Sequence, residues 1–166
     1  MLCDIFEISL KSSSMKIYYA LLFICCFQLI SLKLIAQQKS FNFYRVPLYN
    51  GKPATLKLKG NKLAEQYRTI IKDTYYSTKE MVKWRHGATG LNFAGHYCFV
   101  YWGCGSECQD AAVVDLNTGV VYPAITASLG YDFKRSSRLV IVNPGQTINS
   151  CAFCVSEYWV WNDVRK

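Results

Sequence analysis

Acidic residues are scarce in this 166-residue chain. Eleven Asp and Glu face nineteen Lys and Arg, for a formal charge of +8. The deficit lies in one stretch: residues 37–90 hold eleven basic and three acidic side chains, whereas 91–166 hold five and six. The lysines form no dense run, so the excess reads as a solvated surface rather than a track for an acidic polymer, and no nucleic-acid partner is expected. Long apolar runs are also missing. Residues 17–32 are uncharged, but Lys33 ends the run after sixteen residues, short of the roughly 20 a spanning helix needs. A stable membrane anchor is thereby disfavoured. Chain length excludes more: there is room for one modest core, not two, and for about two blades of a β-propeller where closure takes at least roughly four.

What is present at the N-terminus reads as a leader. Lys16 precedes the apolar run, and Leu34-Ile35-Ala36 precedes polar Gln37-Gln38-Lys39, the order of a basic region, an apolar core and a small residue at a cleavage site. Asp4 and Glu7 do not suit such a leader, whereas Met15-Lys16 does, so residues 1–14 are expected to be a mis-assigned extension and Met15 the start. Residues 1–36 are then extension plus signal peptide, and 37–166 a single secreted or periplasmic domain. Cys25 and Cys26 follow bulky Phe23 and Ile24, which argues against lipidation. Five cysteines remain after cleavage, Cys98, Cys104, Cys108, Cys151 and Cys154. Outside the cytosol these are expected to pair, with at least one left over.

Periodicity divides the mature chain. Residues 37–53 read as an extended entry segment with a turn at Asn50-Gly51, and 54–59 alternate like a short strand. Leu63, Tyr67, Ile70, Ile71 and Thr74 recur at helical spacing after Asn61, a candidate N-cap. Ser77-Thr78-Lys79-Glu80 has the capping-box pattern, which predicts a second helix to about Arg85. There His86 closes a basic last turn and Gly87 offers a left-handed cap. From Gly95 the pattern turns to strands. Asn117-Thr118-Gly119 joins 111–115 to 120–122, and Arg135 to Arg138 joins 131–134 to 139–142. Asn143-Pro144-Gly145 then stops the chain before a last strand at 155–161. The expected fold is α+β: one or two N-terminal helices, then an antiparallel β-meander with two propeller-blade-like hairpins, braced by disulfides.

The densest chemistry lies in Asn92 to Cys108, NFAGHYCFVYWGCGSEC. Together with Tyr67-Arg68, Val114-Asp115, Thr118-Gly119 and the 132–142 stretch, its NFAGHY and WGCG-x-x-C elements resemble a group of small secreted bacterial proteins of unassigned function. The resemblance implies an exported single-domain protein and no particular activity.

Cys104 and Cys108 form a C-x3-C turn flanked by glycines, where a local disulfide is feasible. Cys151 and Cys154 have the spacing of thiol–disulfide exchange enzymes, but they lead into a strand and lack the helix N-terminus that activates such a thiol. Those four cysteines also have a spacing permissible for zinc, which an oxidising compartment opposes, so no metal or cofactor is expected. If the strand begins at His96, then His96, Cys98, Trp102 and Cys104 share one face, with Glu107 in the following loop. A thiolate, an imidazole and a carboxylate have the logic of a cysteine hydrolase, although no second glycine-rich oxyanion loop is evident. The preferred expectation is a binding module for an envelope or extracellular ligand, contacted by His96, Tyr97, Tyr101, Trp102, Gly103 and Gly105. Alternatives are a hydrolase using His96 with Cys98 or Cys104, and an envelope structural protein. Trp159 and Trp161 share a strand face and are expected to be core on one side; any left exposed beside Tyr101 and Trp102 would add a flat platform.

Overall fold

A computed structural model describes residues 18–19, 21–24, 40–85, 88–150 and 154–162. The chain divides into two compact units, Met1–Ser40 and Phe41–Lys166. In the first, residues 18–19 and 21–24 are helical and exposed. No helix among the described residues is long and apolar enough to cross a membrane. The expected start at Met15, the cleavage site at Ala36 and the pair Cys25 and Cys26 lie outside the described residues, as do His86, Gly87 and Cys151.

The second unit is β-rich α+β. Among its described residues, three short helices, α1 (Lys62–Gln66), α2 (Arg68–Tyr75) and α3 (Lys79–Trp84), precede six strands: β1 (Tyr97–Gly105), β2 (Cys108–Asp115), β3 (Val121–Pro123), β4 (Tyr131–Phe133), β5 (Leu139–Val142) and β6 (Glu157–Val160). Asn61 caps α1 as its sequence predicts. Its Oδ1 accepts from the Ala64 amide (3.2 Å) and its Nδ2 donates to the Val121 carbonyl (2.8 Å), tying the helix start to the sheet. The helical run then breaks at Tyr67, whose ring stacks on Trp102 with centroids 4.1 Å apart. The capping box is displaced by one residue: Thr78 holds the N-cap without a side-chain bond, and Ser77 is left-handed at φ +54°.

The strands form two antiparallel three-stranded sheets, β1-β2-β3 and β4-β5-β6, rather than one meander. The reason is legible in β1 and β2, which are apolar on both faces. Cys98, Val100, Trp102, Ala112 and Val114 pack with Ala64, Ile71 and Tyr75 of the helices. Tyr97, Phe99, Ala111 and Val113 pack with Phe93, Val140 and Val142, and with Tyr131 and Phe133. A sheet buried on both faces needs a layer on each side. The result is helices on the first sheet and the first sheet on the second, with β1 in the middle layer. Both predicted hairpins form, β2–β3 around Asp115 to Gly119 and β4–β5 around Arg135 to Arg138. They fall in different sheets, and each sheet has one strand fewer than a four-stranded propeller blade.

Residues 41–59 act as a strap. Residues 41–44 are a turn rather than extended chain. Beyond it, Val46 donates to Ser136 (2.9 Å), Tyr49 to Gly95 (2.8 Å), Ala54 to Leu116 (2.8 Å) and Lys57 to Gly119 (2.8 Å). The strand expected at 54–59 is thus reduced to one parallel bridge, Lys57 with Val120. Its partner is the tip of a hairpin, which is too short to carry a ladder.

Candidate functional site

The NFAGHY element is a junction. Ala94 and Gly95 are left-handed, at φ +44° and +83°, which folds the chain back so that Phe93 and Tyr97 exchange backbone bonds (3.0 Å each). Gly95 donates to Arg135 (2.7 Å) and accepts from Tyr49, while Ala94 donates to Ser137 (3.2 Å). A Cβ on Gly95 would lie 2.5 Å from the Pro47 carbonyl oxygen. Glycine is therefore required both for conformation and for the approach of the strap.

Asn92 and Arg85 close the free edge of β1. An edge strand presents unpaired N–H and C=O groups, and in β1 those of Tyr97, Phe99 and Tyr101 point away from β2. Phe93 serves Tyr97. The Asn92 amide serves Phe99 as a neighbouring strand would: its Oδ1 accepts from Phe99 N (2.6 Å), and its Nδ2 donates to Phe99 O (2.9 Å) and Ala88 O (3.0 Å). Arg85 Nη2 donates to the Tyr101 carbonyl, and the guanidinium lies 3.9 Å from the centre of the Tyr101 ring. Burial pulls the Arg85 pKa below its ordinary value, an effect that Tyr101 partly offsets. The closure ends at Gly103, which is exposed.

At this other end of β1 the expected local disulfide is present, Cys104 to Cys108, with Cα atoms 5.1 Å apart. It spans the register shift between Gly103 and Gly105. Cys154 is also disulfide-bonded, to a partner outside the described residues. Cys98 is the free thiol among the described residues and is 0 % exposed. Burial pushes its pKa up to about 12, against the opposing pull of Arg85, so it stays a neutral thiol.

These placements separate the residues of the hydrolase constellation. Cys98 faces the helices inside the core, and Cys104 has no thiolate to offer because its sulfur is bonded to Cys108. His96 precedes β1, about eight extended residues or roughly 25 Å of strand from Cys104 and from Glu107 in the next turn. The imidazole stacks on Tyr97 with centroids 4.1 Å apart, and Nε2 lies 3.9 Å from Asp115 Oδ1. That carboxylate already accepts from Asn117 N and Thr118 Oγ1 (2.8 Å each), holding the β2–β3 turn. Four-thiolate zinc is likewise unsuited to this donor set, since two of its sulfurs are joined as a disulfide.

The expected recognition surface also divides. Tyr97 and Trp102 (6 % exposed) are core, and Tyr101 is half-buried under Arg85. Gly103 and Gly105 are exposed at one end of β1, and His96 is half-buried at the other. Trp161 packs into the core between the sheets, whereas Trp159 is half exposed and donates to Glu157 (2.8 Å).

A concavity lies where the strap passes α2. This cleft of about 360 Å³ is lined by Tyr49, Gly51, Pro53, Tyr75, Tyr76, Ser77, Gly90, Leu91 and Leu116. Tyr49 folds over Gly51 and donates to the Lys52 carbonyl (3.1 Å). Tyr75 is buried and donates to the Ala54 carbonyl (2.8 Å); burial pushes its pKa up to about 12, with Tyr76 adding to the effect. Tyr76 stands edge-on to Tyr75 with centroids 5.0 Å apart and is 50 % exposed. The floor residue Leu116 adjoins Asp115 in sequence, and its amide donates to the His96 carbonyl (2.9 Å). A second cleft, of about 310 Å³, is lined by Asp73, Thr78, Glu80, Met81 and Trp84 on the exposed side of α2 and α3.

Sequence reasoning passes over the tyrosine cleft because its walls come from separate segments. The available signal is Tyr75-Tyr76-Ser77 directly after a helix, with Tyr49-Asn50-Gly51 upstream. No family model, curated protein or solved structure matches the chain.

Proposed function

We propose that the chain is an exported binding module that takes its ligand in the tyrosine cleft. The observation that carries this reading is the cleft itself. Three phenol rings and two aliphatic side chains line a concavity of about 360 Å³, within the range of ligand pockets and with the mostly apolar lining they share. The half-exposed Tyr76 ring is amphipathic and stiff, as recognition residues tend to be. Export is supported by the leader-like residues 16–36 and by the Cys104–Cys108 bridge, which an oxidising compartment favours. The partner is an envelope or extracellular ligand rather than a nucleic acid.

Amide-proton NMR of the 37–166 domain with a fragment library tests the reading. Saturable shifts centred on Tyr49, Tyr76, Ser77 and Leu91 are the expected result. Fragments that perturb only the Gly103–Cys108 turn, or nothing, would overturn it.

A further inference from the structure

We propose that the cleft recognises a proline-rich extended segment of a partner protein, an inference that rests on the binding reading above. The argument is an inventory of free hydrogen-bonding groups. The protons of Tyr49 and Tyr75 are already given to the Lys52 and Ala54 carbonyls. The Tyr76 oxygen accepts from the Leu56 amide (3.3 Å), which leaves its proton for a ligand. Ser77 makes no side-chain hydrogen bond among the described residues, and its left-handed backbone sets it beside Gly90 at the cleft margin. The cleft thus offers two hydroxyl donors amid apolar rings. Among the described residues its lining carries no charged side chain and no side-chain amide.

A ligand must match that short inventory. A sugar unit would bring several hydroxyls, each needing partners the cleft does not supply, and every buried unpaired polar group weakens binding. A polyproline II segment fits better. Its prolines have no N–H to satisfy, its carbonyls accept from isolated hydroxyls, and its pyrrolidine rings lie against aromatic side chains. Lys52 lies in the chain between lining residues Gly51 and Pro53 and is exposed, which gives the cleft margin a positive field. Acidic residues flanking the proline core would complement this field.

The test is a titration of the 37–166 domain, disulfides intact, with a synthetic peptide holding four prolines in a ten-residue core flanked by glutamates. The same peptide with alanine for proline, and a neutral oligosaccharide, serve as controls. Saturable binding of the proline peptide alone, with shifts at Tyr49 and Tyr76, is expected. Tyr76→Phe keeps the ring and removes the donor, and should weaken binding about fivefold, the effect of one modest hydrogen bond. Ser77→Gly removes the second hydroxyl while suiting the left-handed backbone, and should weaken it by a similar factor. Equal binding of the alanine peptide, or binding of the oligosaccharide instead, would overturn the ligand class and leave the cleft as a binding site. Failure of the peptide while fragments still occupy the cleft would do the same. Failure of both would remove the binding reading itself.

Discussion

At its Asn92–Tyr97 end, β1 is anchored by noncovalent bonds that reach the strap, the β4–β5 turn and the strand's own free edge. At its Gly103–Cys108 end it is anchored by one covalent link that reaches four residues along the chain. Both ends carry the residue types that invite a functional reading, namely histidine, glycine and cysteine. The comparison shows that spacing alone does not distinguish an architectural motif from a chemical one. The NFAGHY end joins segments distant in sequence, so its residues are committed to one another. The cysteine end joins neighbours that a hairpin already brings together.

The largest expected effect is at Gly95. Gly95→Ala would add a Cβ against the Pro47 carbonyl at a positive φ, and should cost roughly 3 kcal/mol or more in denaturant unfolding. A loss below about 1 kcal/mol would mean that the strap is not held where the Gly95 bonds place it. Asn92→Ala comes next. It leaves the buried Phe99 N–H and C=O without their partner, which should cost about 2–3 kcal/mol.

Reduction of Cys104–Cys108 should cost less, at most about 2 kcal/mol, because so short a loop removes little entropy from the unfolded chain. Melting curves of a Cys104→Ser, Cys108→Ser variant isolate this bridge from that of Cys154. A larger loss would reverse the ranking of the two ends. Smallest of all is His96→Ala. With the imidazole 27 % exposed and 3.9 Å from a carboxylate otherwise engaged, the change should stay within about 1 kcal/mol. Its backbone bond to Leu116 survives the substitution.

Much of the local structure is legible in the sequence. Asn61 announces α1, Asn117-Thr118-Gly119 and Arg135 to Arg138 announce their hairpins, and Cys104-x3-Cys108 announces its bridge, because each is decided by side chains within a few residues. The split into two sheets is less visible. The run from Tyr97 to Trp102 is apolar at every position, which signals burial on both faces, but the layer covering the second face arrives only with β4 to β6. Asn92 illustrates the limit most clearly. Its amide replaces a neighbouring strand for Phe99, a role that depends on the Ala94-Gly95 reversal and leaves no periodic trace. The tyrosine cleft is hidden for the same reason, since Tyr49 and Tyr76 meet only after the strap has crossed α2. Cys98 is the opposite case: strand alternation correctly places it on the same face as Trp102, but only packing reveals that this face is turned toward the helices.

The contrast between the two ends of β1 is tested most directly by amide hydrogen exchange, with the Cys104–Cys108 bridge oxidised and then reduced. The account predicts that the Tyr97 and Phe99 amides exchange only through global unfolding in both states, because Phe93 and Asn92 hold them. Reduction should then accelerate exchange in 103–109 beyond the change in global stability. Fast exchange at Phe99 in the oxidised protein, or acceleration at Phe99 matching that at Cys108, would contradict the account.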